Sequence, residues 1–268
     1  MKKILIAIVI AGAIYYITST FLLRKHHTGS TGGYTGSTSG IPAKASRVLE
    51  PIMRVIFYQD VSKSNLSNGV DIVSSEIFMP YYDELEKEIE LSFGCIDISS
   101  AKKLITLKLH SKEFIKPHMP DISKASIVKK RKMNETYNVA LKQYEEDSIQ
   151  YYSDRTNSII AFRSKVDSVL VQFRDTLSGQ TDLVTAITNA DKVFETSKFD
   201  QATSFLILNS DGLDSYKKVI NKMNNKATVI LVNAGPKYHT SIDSIITLTL
   251  ESPEAAIQYS LHSHITKN

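Results

Sequence analysis

Three oxygen-bearing side chains alternate along a short stretch that directly follows an apolar segment. Residues 55–58 are β-branched or aromatic and predict a buried strand, and Asp60, Ser62 and Ser64 come just after them. Oxygens at these positions would stand at the carboxyl end of a strand. Open α/β sheets bind their ligands at that end.

Two further polar residues stand in comparable places. Thr181 lies in a Gly-containing loop before a predicted helix, and Asp211 follows an apolar strand-like run and precedes Gly212. The combined set has three hydroxyls and only two carboxylates. Such oxygens suit a small hard cation of the Mg²⁺ type, with Mn²⁺ or Ca²⁺ as alternatives, whereas a zinc site would be expected to bring His or Cys.

Alternating strands and helices would have to position these residues. The pattern predicts strands at 54–59, 90–98, 103–110, 202–209, 227–234 and 244–250, and helices at about 70–90 (broken or kinked at Pro80), 182–196, 214–224 and after Ser252-Pro253. The short spacer between the second and third strands requires an antiparallel hairpin. We therefore expect an α/β fold with a doubly wound, mostly parallel sheet and one antiparallel edge hairpin.

The order of the predicted elements and three sequence motifs together resemble the von Willebrand factor type A domain with its metal ion-dependent adhesion site. The motifs are Asp60-Val61-Ser62-Lys63-Ser64, Gly179-Gln180-Thr181 and Ser210-Asp211-Gly212. The resemblance covers residues 50–112 and 178–268. Taken singly, each motif is more typical of turns and helix caps than of a metal site.

The resemblance implies a division of roles around the cation. The hydroxyls of Ser62 and Ser64 would bind it directly, Thr181 directly or through water, and Asp60 and Asp211 largely through water. An acidic side chain of a protein partner would complete the metal shell. The implied function is adhesion without chemistry on the ligand.

An insertion of about 113–178 departs from that family. From Ser123 to about Leu177 the sequence lacks Gly and Pro, and its apolar residues recur at helical spacing. We expect two antiparallel helices that break near 151–158, or one bent helix laid partly on the domain. The alternative is a coiled coil between copies of the chain, that is, self-association.

The amino terminus predicts a membrane helix. Ile4 to Leu23 is uncharged for 20 residues, about 30 Å as a helix, which indicates a transmembrane segment in 1–25. A cleaved signal peptide is the rival interpretation. Residues 26–45 are largely Gly, Ser and Thr and predict a flexible linker, leaving 46–268 as the domain. The flanking charges slightly favour a domain on the non-cytoplasmic side.

Composition and missing motifs weigh against other classes. The formal net charge of +4 is too small to argue for nucleic acid, and the basic cluster at 129–132 is typical of a solvated helix face. No phosphate-binding loop, dinucleotide fingerprint or nucleophile elbow appears. We expect no enzyme. A metal-dependent hydrolase at Asp60 and Asp211 is a minor alternative, and a structural subunit of an envelope complex is the main one.

Overall fold

The computed structural model describes residues 52–85, 87–97, 104–112, 114–175, 177, 179–195, 203–216, 220, 222–234 and 242–263. They belong to one compact unit, Leu49–Asn268. The predicted membrane helix of 1–25 and the linker of 26–45 lie outside the described residues. Within the described ranges, no helix has the length and apolar character needed to cross a membrane.

Six strands form one sheet. They are β1 (Met53–Asp60), β2 (Ile89–Ile96), β3 (Ile105–Leu109), β4 (Thr203–Asn209), β5 (Thr228–Val232) and β6 (Leu248–Leu250). Their order across the sheet is β3-β2-β1-β4-β5-β6, and every neighbouring pair is parallel except β2 with β3. The predicted α/β class, with a mostly parallel sheet and one antiparallel edge pair, is confirmed.

Helices cover both faces of this sheet. They are α1 (Lys63–Ser67), a 3₁₀ helix (Ser75–Phe78), α2 (Met79–Tyr82), α3 (Ile127–Asp175), α4 (Leu183–Glu195) and α5 (Pro253–Ser263). One face packs against α2, α5, the 3₁₀ helix and part of α3, while α4 packs on the other. Side chains alternate between the two cores as the pleat requires, so Phe57 joins the first and Tyr58 the second.

The helix predicted at 70–90 is wrong. The structure has an irregular segment, the 3₁₀ helix and the four residues of α2 in its place, and β2 already begins at Ile89. Pro80 lies in the first turn of α2, where its missing N–H costs nothing, so it opens a helix and does not kink one. The helix predicted at 214–224 is not found in the described part of that range.

The insertion forms a single helix of 49 residues, α3, about 70 Å long. The predicted break near 151–158 does not occur, so a hairpin of two helices is wrong. Its carboxyl-terminal half lies on the domain and buries Phe162, Val166 and Leu170. Asp167 accepts hydrogen bonds from the backbone N–H and the hydroxyl of Ser75 (3.1 and 2.8 Å), which fixes this half against the 3₁₀ helix.

Candidate metal centre

The site lies where the chain leaves β1. Asp60 is the last residue of β1, and α1 follows after Val61 and Ser62. β1 lies between β2 and β4, so its carboxyl end is the switch point of the sheet, where open α/β sheets form a ligand crevice.

The first predicted motif turns tightly around the Asp60 carboxylate. Asp60 Oδ1 accepts from the Ser62 backbone N–H (2.9 Å), and the hydroxyls of Ser62 and Ser64 lie 3.1 Å apart. Ser62 also caps α1 by accepting from the Asn65 backbone N–H at 3.3 Å. Ser64 is exposed and Ser62 is buried, so the paired hydroxyls stand at the boundary between protein and solvent.

The loop after β4 is bound directly to the loop after β1. The Ser210 hydroxyl donates to Asp60 Oδ2 (2.7 Å). Asn65 bridges the two loops, because its amide donates to the Asp60 carbonyl (2.9 Å) and accepts from the Asp211 backbone N–H (2.8 Å). Asn68 donates to Asp211 Oδ2 (2.9 Å). The structure thereby brings the first and last predicted motifs together.

The threonine loop joins the same edge through backbone contacts. The Thr181 N–H donates to the Ser215 hydroxyl, and the Ser215 N–H donates to the Thr181 carbonyl, each at 2.9 Å. The N–H groups of Val61 and Asp182 donate to successive carbonyls at the end of β2, at 3.2 Å each. The loops that carry all five predicted residues therefore converge.

Among the described residues two buried hydroxyls lack a hydrogen-bond partner, that of Tyr58 in the core and that of Thr181, and only Thr181 belongs to the site. It is buried, and it has no hydrogen-bond partner among the described residues. A buried hydroxyl without a partner is costly, and native structures rarely leave one without a reason. A cation or its bound water would supply the missing contact, so the residues present fit a hard metal ion.

The two carboxylates are engaged but keep acceptor capacity. Asp60 accepts from Ser62 and Ser210, and Asp211 accepts from Asn68 and from the Leu213 N–H (3.0 Å). Each oxygen has a further lone pair, which suits contact through water as the resemblance implies.

Burial raises the pKa of Asp60 to about 6, and the Asp211 charge adds to the rise, while hydrogen bonds from Ser210 and Ser62 oppose it. A buried carboxylate held near a second one is a site of unbalanced negative charge. A divalent cation would balance that charge.

Four residues of the site were not predicted: Asn65, Asn68, Ser210 and Ser215. Ser210 was quoted as part of a motif, yet no role was assigned to it. Serine and asparagine beside a strand end are ordinary turn residues, so their type carries little signal. Only the three-dimensional contacts identify Asn65 as the bridge.

Groups of three or more His, Cys, Asp or Glu that could hold a metal do not occur in the described part of the chain. The five predicted residues include only two carboxylates, so they are not a group of that kind. Neither a scan of protein-family models nor a search of curated proteins gives a match.

Proposed function

We propose that this chain is a cation-dependent protein-binding domain, attached to a membrane by its amino-terminal apolar segment and lying on the non-cytoplasmic side. The cation is Mg²⁺ or a similar hard ion. Ser62, Ser64 and Thr181 would hold it through hydroxyls, with Asp60 and Asp211 acting largely through water. The observation that carries this proposal is the buried, unpartnered hydroxyl of Thr181 in the loop cluster of Ser62 and Ser64.

The bound cation would supply an electrophilic point for an oxygen ligand. A shell rich in neutral hydroxyls leaves much of the ion's charge uncompensated, which favours an acidic side chain from a partner. The chain's own residues do three things here: they orient the hydroxyls, hold the two carboxylates by hydrogen bonds, and keep Asp60 from solvent. Binding of this kind requires no general base, and we propose no catalysis.

A groove beside the site offers room for the partner's neighbouring residues. It has a volume of about 660 Å³ and opens between the segment after α1 and the start of α5. Asp71, Glu76 and Glu254 contribute to its lining, and since Glu76 pairs with Arg163 (3.3 Å), Asp71 and Glu254 give the groove an acidic character that favours basic residues in the partner. A partner segment with one acidic residue among basic ones would match both features.

Calorimetric titration of Mg²⁺ and Mn²⁺ into the full-length protein tests the cation site. Ser64→Ala removes a proposed ligand, and Ser67→Ala is the matched control. Both hydroxyls belong to α1 and both residues are exposed, but the Ser67 hydroxyl donates to the Ser64 carbonyl (2.8 Å) and is not a proposed ligand. We expect Ser64→Ala to weaken binding at least about tenfold and Ser67→Ala to preserve it. Equal binding by both variants, or none by the wild type at millimolar metal, would refute the proposal.

A second candidate function is that of a structural subunit acting through the helical insertion. The observation that favours it is α3, a 49-residue helix in which only the carboxyl-terminal half adds to the domain core. A hydrolase at the same oxygens is the weakest candidate.

A further inference from the structure

The amino-terminal half of α3, residues 127–150, has one face covered by its own chain. Phe114 packs in edge contacts on Tyr144 and Tyr151, with ring centroids 6.2 and 5.4 Å away. Further along, Pro117 and Pro120 face this half across a cavity of about 460 Å³. The segment that precedes the helix therefore lies along this face.

The opposite face exposes a row of β-branched residues. Val128, Val139 and Ile149 are exposed by 80, 71 and 70 %, and the row continues at Ile160 and Val171. Steps of ten or eleven residues are close to three helical turns, so these side chains share one side of the helix. They lie about 15 Å apart along the helix, so they form a row of single apolar side chains, and a partner for this face has to be identified from the charges between them.

Charged residues on the same face alternate in sign along the helix. Arg131 pairs with Glu135 (3.0 Å) and Lys142 pairs with Glu146 (3.6 Å), both within one turn. The order along the chain is therefore plus, minus, plus, minus. All four side chains are exposed, so a second set of charges can reach them beside their partners on the same helix.

The row and the charges share one centre. The midpoint between Val128 and Ile149 falls between residues 138 and 139, beside Val139. The midpoint between Arg131 and Glu146 is the same, and so is that between Glu135 and Lys142. If a second copy of the helix lies antiparallel about this point, its apolar residues face the apolar residues of the first copy. Each charged residue then faces one of opposite sign.

We propose that two copies of this chain associate through an antiparallel contact of residues 127–150, with the two-fold axis beside Val139. The contact is isologous: Val128 faces Ile149 of the second copy, Arg131 faces its Glu146, and Glu135 its Lys142. A parallel, in-register pair would place like charges opposite each other, which disfavours it. The proposal does not depend on the metal site.

Association of this kind is reversible. Each copy contributes three widely spaced apolar side chains, and exposed ion pairs add little each. The contact is therefore concentration-dependent, and attachment of the chain to a membrane would strengthen it by raising the local concentration.

Disulfide cross-linking of the full-length protein tests the geometry. In Val139→Cys the new thiol lies at the proposed axis, so two copies can be joined there under mild oxidation. Ile160→Cys is the matched control, since it belongs to the same exposed row but its antiparallel counterpart would fall before the start of α3. The native Cys95 lies within β2, and burial raises the pKa of its thiol, which slows its oxidation.

We expect a covalent dimer from Val139→Cys and little from Ile160→Cys. Equal dimer from both variants would indicate parallel or random contact and overturn the proposal. It is likewise overturned if Val139→Cys stays monomeric, with sedimentation of the wild type unchanged over a hundredfold concentration range.

Charge reversal gives an independent test in the Val139→Cys background. Arg131→Glu places like charges across the interface and should reduce the dimer yield several-fold. Adding Glu146→Arg restores opposite charges in both halves of the symmetric contact and should restore the yield. Helix content by circular dichroism controls for damage to α3. Failure of the double reversal to restore the yield, with helix content unchanged, would contradict the assigned pairing.

Discussion

The variant Thr181→Val should be more stable than the wild type without metal and less stable than the wild type when a divalent cation is added. The substitution exchanges a hydroxyl for a methyl group of similar size. In the absence of metal the hydroxyl is buried without a partner, which costs about 1 to 3 kcal/mol. Removing it should therefore raise the free energy of unfolding of the metal-free protein, by about 1 kcal/mol.

Added Mg²⁺ should reverse this order. A ligand at about a hundred times its Kd stabilises a folded protein by about 2.7 kcal/mol, and the wild type should gain that amount. Thr181→Val lacks a proposed metal ligand and should gain little. The variant is then the more stable protein in a chelator and the less stable one in Mg²⁺.

Urea unfolding of both full-length proteins, with chelator or with Mg²⁺, measures the effect. Thr188→Val is the control, because its hydroxyl is satisfied by the Val184 carbonyl (2.8 Å) within α4. It should show no inversion. If Thr181→Val lowers the free energy of unfolding in chelator by more than about 1 kcal/mol, the hydroxyl has a partner in the folded protein. If Mg²⁺ stabilises Thr181→Val as much as the wild type, the hydroxyl does not bind the cation.

Three further outcomes follow from the contacts at the site and in the core. Because the pKa of Asp60 rises from 3.8 unfolded to about 6 folded, its protonation favours the folded state. The free energy of unfolding of the metal-free wild type, relative to that of Asp60→Asn, should fall by up to about 3 kcal/mol as pH rises from about 4 to 6. Mg²⁺ should abolish this fall. Asn65→Leu leaves the Asp211 N–H without its partner and the Asp60 carbonyl with only the Gln59 amide as a donor (2.8 Å), so it should lower the free energy of unfolding in urea by about 1 to 3 kcal/mol, against less than about 1 for Asn68→Ala. Phe162→Ala should lower the free energy of unfolding by about 3 to 5 kcal/mol, whereas its exposed neighbour Ile160→Ala should change it by less than about 0.5; equal effects would mean that this half of α3 is not part of the core.

The strands were predictable because their signal is local. Residues 55–58 are apolar without interruption, and the structure buries all of β1, as a central strand covered on both faces requires. The short spacer before β3 allowed only an antiparallel pair, which the structure contains. These features need no knowledge of distant residues.

The segment after α1 was mispredicted although its apolar residues Val70, Val73, Ile77 and Tyr81 recur at helical spacing. Val73 donates to the Gln59 side chain (3.2 Å), and Phe78 and Tyr81 fill the core from two short turns. Tertiary contacts decide this segment, and they depend on residues far along the chain.

The continuity of α3 was missed because it too depends on tertiary contacts. Residues 151–158 contain Ser, Asp and Asn, which weaken a helix in isolation. Here the Arg155 guanidinium donates to the carbonyls of Tyr82 (3.2 Å) and His110 (3.4 Å), and it is buried against the domain. The domain thereby supports the helix where its own sequence is weakest.

The site was predictable in its residue types but not in its internal connections. The alternation of Asp60, Ser62 and Ser64 at a strand end is visible in the sequence. The bridge made by Asn65 links residues 146 positions apart, and no local pattern reports such a contact.

The pairing of β1 with β4 has a consequence for synthesis of the chain. Met53 pairs with Thr203, so the central strand leaves the ribosome 150 residues before one of its two partners. At about 5 to 20 residues per second, one edge of β1 waits roughly 8 to 30 seconds, while β2, β3 and all of α3 are made. An apolar strand with a free edge is prone to pair with other chains during that interval. Newly made protein should therefore depend on chaperones until β4 emerges, and slower translation of the insertion should lower the yield of folded protein.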